Sequence, residues 1–328
     1  MRTIKKVIAA VNYAPEDLQA LREIFEGSEF VHANIRDSAT ILEALKDADV
    51  AVLPGDIDQR FLGENKLKWI HCDHAGLNRS AKPELFERGV LLSGSSGRSA
   101  PALAEHCVYF MLNAAYHTRE LLAAQDSCHW GVEGMNDWRS LYGRTAGIIG
   151  MGHNGKELAA RLHAFGMNLI TYDRHPVTGF DYIDQKLDAS AGDTLDPLFE
   201  KADFIILCVA LTDETYHMIN RDTLAKMKKG VVLVNMARGG LICAEDLIDA
   251  LDSKQVSCAG LDVFEQEPLP AESPLWRRKD IYITPHVTPQ VPHRTGRSLE
   301  IIRENVRRYK AEEPLLNQVR AEDCFTKS

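Results

Sequence analysis

The 328-residue sequence contains no long hydrophobic run, no excess of positive charge and no closely spaced pair of cysteines. A membrane-spanning helix needs roughly 20 consecutive apolar residues, and no stretch approaches that length, so no membrane partner is expected. Residues Met1–Lys6 do not have the form of a signal peptide. The formal net charge of -9 argues against nucleic-acid binding, which requires a basic surface.

The seven cysteines are scattered, odd in number and without a C-x-x-C pair. This usage predicts reduced thiols and a cytoplasmic protein, because disulfides persist mainly in oxidising compartments. The cysteines are Cys72, Cys107, Cys128, Cys208, Cys243, Cys258 and Cys324.

What the sequence does contain is an alternation of predicted strands and helices in residues 1–98. Strands separated by helices indicate a parallel sheet, whose functional loops lie at the carboxyl ends of its strands. The loop His71–Gly76 is one such end. The predicted strands are 4–11, 29–32, 49–53, 68–72 and 89–92, and the predicted helices are 15–26 and 38–46, with Ser38 as an N-cap.

The same alternation continues in the rest of the chain after a candidate hinge at Gly94–Gly97. A long helix is predicted first, at 101–124, because its apolar residues recur on one side. The further predicted strands are 146–149, 168–172, 203–209, 231–235, 257–263 and 281–284, the helices are 156–165, 194–200, 221–227 and 244–251, and 126–144 and 174–190 are predicted to be irregular.

A second candidate hinge, Thr288-Pro289, precedes a last predicted helix at 292–312. This helix is expected to pack back on the first domain. The sequence therefore predicts two doubly wound α/β domains, one made of residues 1–98 and 290–328 and the other of residues 99–289.

The centre of the chain carries a G-x-G-x-x-G turn, Gly150–Gly155, between a short apolar strand and a helix. The first glycine permits a tight turn, the second lets a pyrophosphate approach the backbone, and the third lets the helix pack closely on the strand. The helix N-terminus then faces the phosphates. A turn that binds nothing can share this pattern, but the strand, the helix and a downstream acid together favour a dinucleotide site.

That acid is Asp173, which follows the next predicted strand, 21 residues after Gly152. A carboxylate in this place suits a ribose 2′-hydroxyl and repels a 2′-phosphate, so NAD is predicted rather than NADP. Arg174 comes next in the chain and is able to accommodate a phosphate, which leaves NADP as the alternative.

Three chemistry-bearing residues follow predicted strands in the second half: Arg238, Glu267 and His286. An arginine fork binds a carboxylate bidentately, and a histidine can protonate a carbonyl oxygen near neutral pH. A carboxylate bonded to the histidine orients its ring. Singly, each has an ordinary alternative: a helix-start turn, an exposed loop and a structural histidine. Together at one sheet edge they favour hydride transfer to a 2-keto acid.

Several segments closely resemble the signature segments of the NAD-dependent D-2-hydroxyacid dehydrogenases, and the resemblance spans nearly the whole chain. They are Ala104–His106, the glycine turn Gly150–Gly155, Val234–Gly240, Gly260–Leu269 and Thr284–Thr288. The resemblance implies a Rossmann NAD domain inserted in a flavodoxin-like substrate domain that both chain ends form, closing over a cleft, usually as a homodimer.

The resemblance also implies residue roles. Arg238 would anchor the substrate carboxylate, His286 would be the acid–base group with Glu267 as its partner, and the backbone of Ala75 and Gly76 would bind the carboxylate from the other domain. Asp262 would lie near the nicotinamide carboxamide. The predicted cofactor-binding residues are Gly150, Gly152, His153, Asn154, Gly155, Asp173, Val209, Ala237 and Asp262.

The sequence departs from the family pattern at a few places. His74 stands where glycine is frequent and Asn78 where aspartate is, so an imidazole can line the substrate pocket and alter specificity. Val287-Thr288-Pro289 replaces a hydrophobic residue, a small residue and glycine, and Ala210 replaces a usual proline. None of these changes removes a catalytic group.

Two further features have competing interpretations. The run His71-Cys72-Asp73-His74 resembles a metal-ligand cluster, but side chains alternate along a strand, so His71 and Asp73 share one face and the other two the opposite face. No metal is therefore expected. Trp130 and Trp138 are expected at a subunit contact rather than on a nucleotide, since in several family members a loop tryptophan of the partner subunit reaches the active site.

Alternative functions remain at this stage. Phosphite oxidation is compatible with the three residues, whereas formate-oxidising relatives carry glutamine in place of Glu267. A different class is an NAD-sensing interaction protein, like the corepressors that share this fold. The expected extended disordered tails of such proteins are missing, and only 322–328 has the character of a loose end.

Overall fold

A computed structural model describes residues 1–287 and 291–327 and divides the chain into two compact units. The first unit is Met1–Ser99 with Gln290–Ser328, and the second is Ala100–Pro289. Among the described residues, no helix is both long and apolar enough to cross a membrane.

The strands are numbered here along the chain. They are β1 (Lys6–Ala9), β2 (Glu29–His32), β3 (Val50–Leu53), β4 (Trp69–Cys72), β5 (Leu91–Gly94), β6 (Thr145–Ile149), β7 (Asn168–Asp173), β8 (Gln185–Asp188), β9 (Phe204–Leu207), β10 (Val231–Asn235), β11 (Val256–Leu261), β12 (Ile281–Ile283) and β13 (Gln318–Val319).

The α-helices are numbered in the same way, and short 3-10 turns lie at 77–79, 135–137, 189–191, 239–241, 274–277 and 321–323. They are α1 (Pro15–Ile24), α2 (Ser38–Leu45), α3 (Gln59–Leu62), α4 (Pro83–Glu87), α5 (Ala100–Ala115), α6 (Thr118–Asp126), α7 (His153–Ala164), α8 (Asp196–Lys201), α9 (Arg221–Lys226), α10 (Ala244–Asp252) and α11 (Arg294–Ala311).

The first unit is built on a sheet of order β13-β5-β4-β3-β1-β2. Strands β1 to β5 are parallel, and β3 is buried along its whole length because helices cover both faces. The last helix, α11, packs on this unit: Leu299, Ile302 and Tyr309 share an apolar cluster with Trp69 of β4. The sheet's carboxyl edge carries the loop after β4.

The second unit is built on a sheet of order β12-β11-β10-β9-β6-β7-β8, whose strands are all parallel. Helix α5 packs closely against it, since a Cβ added at Gly260 of β11 would lie 2.5 Å from the Phe110 ring. The predicted α/β class with two doubly wound sheets is confirmed, with one exception: β13 pairs antiparallel with β5.

The predicted long helix at 101–124 is wrong, because the chain breaks between α5 and α6. His117 adopts a left-handed conformation with φ of 44°, which ends the helical path at Ala115 and starts a new one at Thr118. Helix α6 buries no residue, and Leu121 and Leu122 remain about half exposed. The apolar spacing therefore continues in the sequence across the point where α5 ends and α6 begins.

Other differences arise where the local pattern was weak. Strand β8 lies within the stretch 174–190 that was predicted to be irregular. The strand was missed because only one of its four residues, Leu187, is buried. Helix α2 is capped by Asp37 and not by Ser38, since the Asp37 carboxylate accepts a hydrogen bond from the Thr40 N–H at 3.1 Å. Strand β5 lies two residues later than predicted.

Candidate active site

The glycine turn after β6 has the tight geometry that dinucleotide binding requires. Gly150 has φ of 100°, and a Cβ there would lie 2.8 Å from the Cys208 carbonyl group. A Cβ at Gly155 would lie 2.0 Å from the Gly150 oxygen, so the helix α7 approaches the turn as closely as the backbone permits. Space around Gly152, which caps α7, is open. The N-terminal N–H groups of α7 form a suitable anion site.

Asp173, the last residue of β7, is tied to this turn. Its Oδ2 accepts a hydrogen bond from the Met151 N–H at 2.6 Å, and its Oδ1 accepts one from the His175 N–H at 3.0 Å. The neighbouring Arg174 lies 3.4 Å from the Glu214 carboxylate in an exposed ion pair. A carboxylate is thus fixed beside the glycine turn.

The carboxyl ends of five neighbouring strands lie at one level in the second sheet. The register aligns Ile149 of β6 with Leu207 of β9, Leu207 with Asn235 of β10, Asn235 with Leu261 of β11, and Leu261 with Ile283 of β12. The loops after these strands therefore share one edge, where ligands of open parallel sheets bind. These loops carry the glycine turn, Val209, Ala237, Arg238, Asp262, Glu267 and His286.

The His286 ring is held by Glu267. Its Nδ1 lies 2.7 Å from Oε2 of Glu267, whose Oε1 accepts a hydrogen bond from the Phe264 N–H at 2.9 Å. His286 itself has φ of 49° and donates its backbone N–H to the Asp262 carbonyl at 2.8 Å. Because Nδ1 is engaged by the carboxylate, Nε2 is the ring nitrogen that can serve a ligand.

Asp262 is buried and fixes the segment that carries His286. Its Oδ1 accepts hydrogen bonds from the Thr284 hydroxyl at 2.6 Å and from the Val287 N–H at 2.9 Å. The Thr284 hydroxyl also lies 3.2 Å from Nε2 of His106, whose pKa burial lowers. The resemblance implies that Asp262 lies near the nicotinamide carboxamide. In this structure its Oδ1 accepts hydrogen bonds from the protein's own Thr284 and Val287.

Arg238 follows β10 through a turn that the Asn235 side chain organises. The Asn235 amide accepts from the Ala237 N–H at 3.0 Å and donates to the Arg238 carbonyl at 2.9 Å. A Cβ at Gly239 would lie 1.8 Å from the Phe264 carbonyl carbon, so this turn packs directly on the loop that leads to Glu267. The structure therefore brings Arg238 to the loop that positions the Glu267–His286 pair.

Sequence reasoning assigned no role to Asn235, Thr284 or His106, which build the supports of this site. Asn235 is almost fully buried at the end of a strand that is otherwise apolar. A polar residue at the end of a buried strand must find hydrogen-bond partners, and that signal was available. The partners of Asn235 lie in the turn that directly follows it, whereas those of Thr284 lie on other elements and depend on how these pack together.

The loop after β4, in the first unit, holds the remaining predicted residues. Ala75 and Gly76 are exposed, and Gly76 is left-handed with φ of 75°. The His74 Nε2 lies 3.4 Å from the Asp56 carboxylate. Although burial acts to raise it, the nearby His74 and the hydrogen bond that the Ser80 hydroxyl donates at 2.6 Å hold the pKa of Asp56 below its usual range.

His71 and Asp73 both contact Ser95, at 3.0 and 2.8 Å, as expected for residues on one face of a strand. Cys72 instead joins the apolar cluster on the other side of the sheet. Within residues 1–287 and 291–327, no three His, Cys, Asp or Glu side chains are arranged to hold a metal ion.

Trp130 and Trp138 have different surroundings. Trp130 is fully exposed, whereas Trp138 stacks on His117 with ring centroids 4.6 Å apart. Among the described residues, neither tryptophan makes a ring contact with the loops at the carboxyl edge of the second sheet.

Comparisons with known proteins show which family the chain is similar to. Residues 108–288 match the family model described as "D-isomer specific 2-hydroxyacid dehydrogenase, NAD binding domain". The chain is 38% identical over 245 residues to the hydroxypyruvate reductase of Thermotoga maritima, which covers 71% of this chain and 75% of that protein. It is 32% identical over 298 residues to the glyoxylate reductase of Korarchaeum cryptofilum, with 86% of each chain covered.

A solved structure is similar over nearly the full length. The NADPH-dependent glyoxylate/hydroxypyruvate reductase of Sinorhizobium meliloti, in complex with NADP and sulfate, superposes with a TM-score of 0.80. The identity is 26%, and the match covers 97% of this chain and 99% of that chain. With the family model and the two relatives, this shows that the chain belongs to the D-isomer specific 2-hydroxyacid dehydrogenase family and is an NAD(P)-dependent oxidoreductase of 2-keto and 2-hydroxy acids.

Proposed function

We propose that this protein interconverts a 2-keto acid and a D-2-hydroxy acid with Arg238, Glu267 and His286 as its catalytic residues and NAD(H) as its cofactor. The observation that carries the proposal is the 2.7 Å contact between His286 and Glu267, at the sheet edge that also holds the glycine turn and Arg238. The cofactor, when bound, supplies or accepts the hydride at the substrate carbon.

His286 moves the proton in this scheme. Reduction of a carbonyl places negative charge on its oxygen, and Nε2 of a protonated imidazole donates the proton to that atom. Glu267 keeps Nδ1–H oriented and stabilises the positive ring, so the proton that leaves is the one on Nε2. In the reverse direction the neutral ring accepts the hydroxyl proton at the same nitrogen.

Arg238 binds the substrate carboxylate and so fixes which face of the keto carbon is presented. A guanidinium is planar and donates two parallel hydrogen bonds to a carboxylate, which orients the substrate better than a single charge does. The backbone of Ala75 and Gly76 is proposed to donate further hydrogen bonds to the same carboxylate. The left-handed Gly76 supports this role, because it turns successive N–H groups toward one side.

The preference for NAD rests on Asp173. Its carboxylate is fixed by the Met151 N–H, so it cannot easily move away from a 2′-phosphate. Two negative groups at that distance repel, whereas a ribose hydroxyl donates to the carboxylate. Arg174, already beside Glu214, is the residue that would favour NADP instead.

We further propose a homodimer that forms through residues 109–142 of the second unit. This stretch exposes Tyr109, Leu122, Trp130 and Tyr142 to between about half and all of their surface. Exposed apolar residues concentrated in one segment mark an interaction surface. We propose that a second copy of the chain covers this surface. The only other proposed partner is the substrate; no nucleic-acid or membrane partner is proposed.

We propose a cytoplasmic location because the cysteines are free thiols. Those of the described residues are not joined in disulfides, and Cys72 and Cys107 are buried among apolar side chains. Thiols of this kind stay reduced in a reducing compartment.

The test is the initial rate of NADH oxidation across glyoxylate, hydroxypyruvate, pyruvate and branched or aromatic 2-keto acids, repeated with NADPH. We expect turnover of at least one acid, with NADH used at least tenfold more efficiently than NADPH. Tight NADH binding without turnover of any acid would instead support an NAD-sensing interaction protein. Turnover with a preference for NADPH would contradict the assignment of Asp173 alone.

A further inference from the structure

A second imidazole–carboxylate pair lies among the loops that carry the proposed catalytic residues. Nε2 of His217 contacts Oε1 of Glu265, and the two residues are 48 positions apart in the sequence. His217 belongs to the loop after β9, and Glu265 belongs to the loop after β11, two residues before Glu267. The proposed reaction uses neither member of this pair.

The backbone of His217 is fixed in an unfavourable conformation. Its φ of 52° lies in the left-handed region, which persists in a residue other than glycine only where the surroundings fix it. The His217 N–H donates to the Gly240 carbonyl at 2.9 Å, and the Asn220 amide donates to the His217 carbonyl at 2.9 Å. The ring stacks on Tyr216, with centroids 3.9 Å apart. Both the backbone and a neighbouring ring therefore direct the imidazole.

The rest of the loop after β9 is closed by its own hydrogen bonds. The Thr215 hydroxyl donates to the Ala210 carbonyl at 2.7 Å and accepts from the Thr212 N–H at 2.8 Å. The Tyr216 N–H donates to the Thr212 carbonyl at 3.0 Å. Residues 210–216 thus form a compact turn, so a contact made by His217 fixes the position of the whole loop.

Glu265 lies in the loop that holds Glu267. The N–H of its neighbour Phe264 donates to the Glu267 carboxylate at 2.9 Å. A Cβ added at Gly239 would lie 2.3 Å from the Glu265 nitrogen, so the turn after β10 packs directly on this loop. Glu265 is therefore part of the backbone that packs on the Arg238 turn and bonds Glu267.

The pair joins two loops across the turn after β10. Strand β10 lies between β9 and β11 in the second sheet, and Gly239 and Gly240 directly follow Arg238 in its turn. A Cβ added at Gly240 would lie 3.2 Å from a side chain of the loop after β9, whereas one at Gly239 would meet the loop after β11. The two glycines let both loops pack on the turn, and the contact of His217 with Glu265 connects these loops.

The pair is poorly suited to stabilising the fold. The His217 and Glu265 side chains are 30% and 37% exposed, and ion pairs in contact with water contribute little to folding. Position has a larger effect on catalysis, because a shift of about 1 Å in a reacting group can lower a rate about 100-fold. A contact that adds little stability can therefore control the rate.

We infer that His217 and Glu265 are positioning residues, which form a clasp between the loops on either side of the Arg238 turn. This inference rests on the proposed function, because it takes Arg238 and Glu267 as catalytic. The clasp holds the carboxylate-binding group and the proton-transferring pair at a fixed separation. A substrate bound by the first is then correctly placed for the second.

The experiment breaks the clasp from each side in the full-length protein. His217→Asn removes the ring and keeps the backbone, because asparagine tolerates the left-handed region, and Glu265→Ala removes the carboxylate. The substrate is the 2-keto acid that the wild type reduces best, with saturating NADH. We expect kcat/KM to fall about 10- to 100-fold in either variant, through both a lower kcat and a higher KM.

NADH binding separates a local effect from a general loss of structure. The glycine turn and Asp173 follow β6 and β7, on the other side of β9 from the clasp. The dissociation constant of NADH, measured by fluorescence, should therefore change by less than about threefold in either variant. Urea unfolding of each variant shows that the protein is folded under the assay conditions. Each single variant tests the inference by itself if the other fails to fold.

The double variant His217→Asn with Glu265→Ala tests whether the two residues act as one. Once one partner is removed, the other has no contact left to lose. The double variant should therefore have kcat/KM within about threefold of the less active single variant. Glu265→Gln should be more active than Glu265→Ala, because its amide oxygen still accepts a hydrogen bond from Nε2–H.

The matched control is another ion pair of the same unit. Lys226 of α9 lies 2.8 Å from Asp196 of α8, and both side chains are about half exposed. Lys226→Ala, Asp196→Ala and their double variant should keep kcat/KM within about twofold of the wild type, as expected for a surface pair without a positioning role.

Three results would overturn the inference. One is a kcat/KM in His217→Asn or Glu265→Ala equal to that of the controls, even if the urea midpoint falls. Another is a double variant whose loss is the product of the two single losses. The third is weakened NADH binding that accounts for the whole fall in rate. In each case the wild type still reduces a 2-keto acid, so the proposed function survives. Absence of wild-type turnover with every acid would remove the proposed function, and this inference with it.

Discussion

Oε2 of Glu267 holds Nδ1 of His286 at 2.7 Å, while Oε1 of the same carboxylate accepts the Phe264 N–H. Both carboxylate oxygens are therefore occupied, one by the loop backbone and one by the imidazole. This arrangement fixes the ring plane and assigns Nε2 to the substrate. The acid–base role proposed for His286 depends on this contact.

Glu267→Gln keeps the shape of the side chain and removes its charge. We expect kcat for keto-acid reduction to fall about 100-fold, because general acid catalysis by a well-oriented group contributes that order of rate. The measurement is kcat at saturating substrate and NADH, with the exposed Glu272→Gln as control. A kcat for Glu267→Gln equal to that of the control would contradict the assigned role.

Asp173→Asn tests the cofactor preference. The amide still accepts the Met151 N–H but carries no charge to repel a 2′-phosphate, so NADPH should be used more readily. We expect the ratio of kcat/KM for NADH over NADPH to fall about tenfold or more. Asp181→Asn, an exposed aspartate of the same unit, should leave the ratio unchanged. Equal ratios in both variants would show that Asp173 does not select the cofactor.

Two glycines of the turn should respond differently to one added methyl group. Gly155→Ala places a Cβ 2.0 Å from the Gly150 oxygen, so it should lower the free energy of unfolding by about 1–3 kcal/mol through overpacking. Gly152→Ala meets no neighbouring atom within 4 Å, so its stability should be close to that of the wild type. Its KM for NADH should nevertheless rise, because the methyl group occupies the path of the pyrophosphate. Urea unfolding and NADH titration of both variants measure this, and an unchanged NADH KM in Gly152→Ala would contradict the site.

Leu122→Glu tests the proposed dimer surface. Leu122 is 52% exposed on α6, and a charge buried in an interface weakens association because it must lose its hydration. We expect the dimer dissociation constant to rise at least tenfold in sedimentation experiments. Leu42→Glu is the matched control, since Leu42 is 50% exposed on a helix of the first unit. Equal association of the two variants would exclude residues 109–142 as the interface.

The sequence predicted the elements of the second sheet well where strands are apolar and bounded by clear turns. Val231–Asn235 has the predicted bounds, and the residues after the strands reach one edge as parallel pairing requires. The helix break at His117 was missed because the apolar spacing continues across it, whereas the left-handed conformation of His117 interrupts the helix. Strand β8 was missed because an edge strand with one buried residue gives no clear alternation.

At the site too, the sequence pattern predicted which residues follow the strands, but not the contacts that depend on strand register. Their position after predicted strands, together with the family resemblance, singled out Arg238, Glu267 and His286 as candidates, and the structure places them after neighbouring strands. The sequence pattern did not reveal that Asp262 bonds Thr284 and Val287, because that contact requires β11 and β12 to be aligned residue by residue. Hydrogen bonds between side chains of distant segments follow from the folded register, and a linear sequence contains that register only indirectly.

The account depends most directly on the proton-transfer role of His286, and one paired measurement tests it. With His286→Ala, NADH binding followed by fluorescence should match the wild type, while the rate of keto-acid reduction should fall at least about 1000-fold, near the upper end of general acid–base contributions. The exposed His163→Ala should retain both properties. Reduction by His286→Ala within about tenfold of the wild-type rate, with NADH binding intact, would contradict the mechanism proposed for this protein.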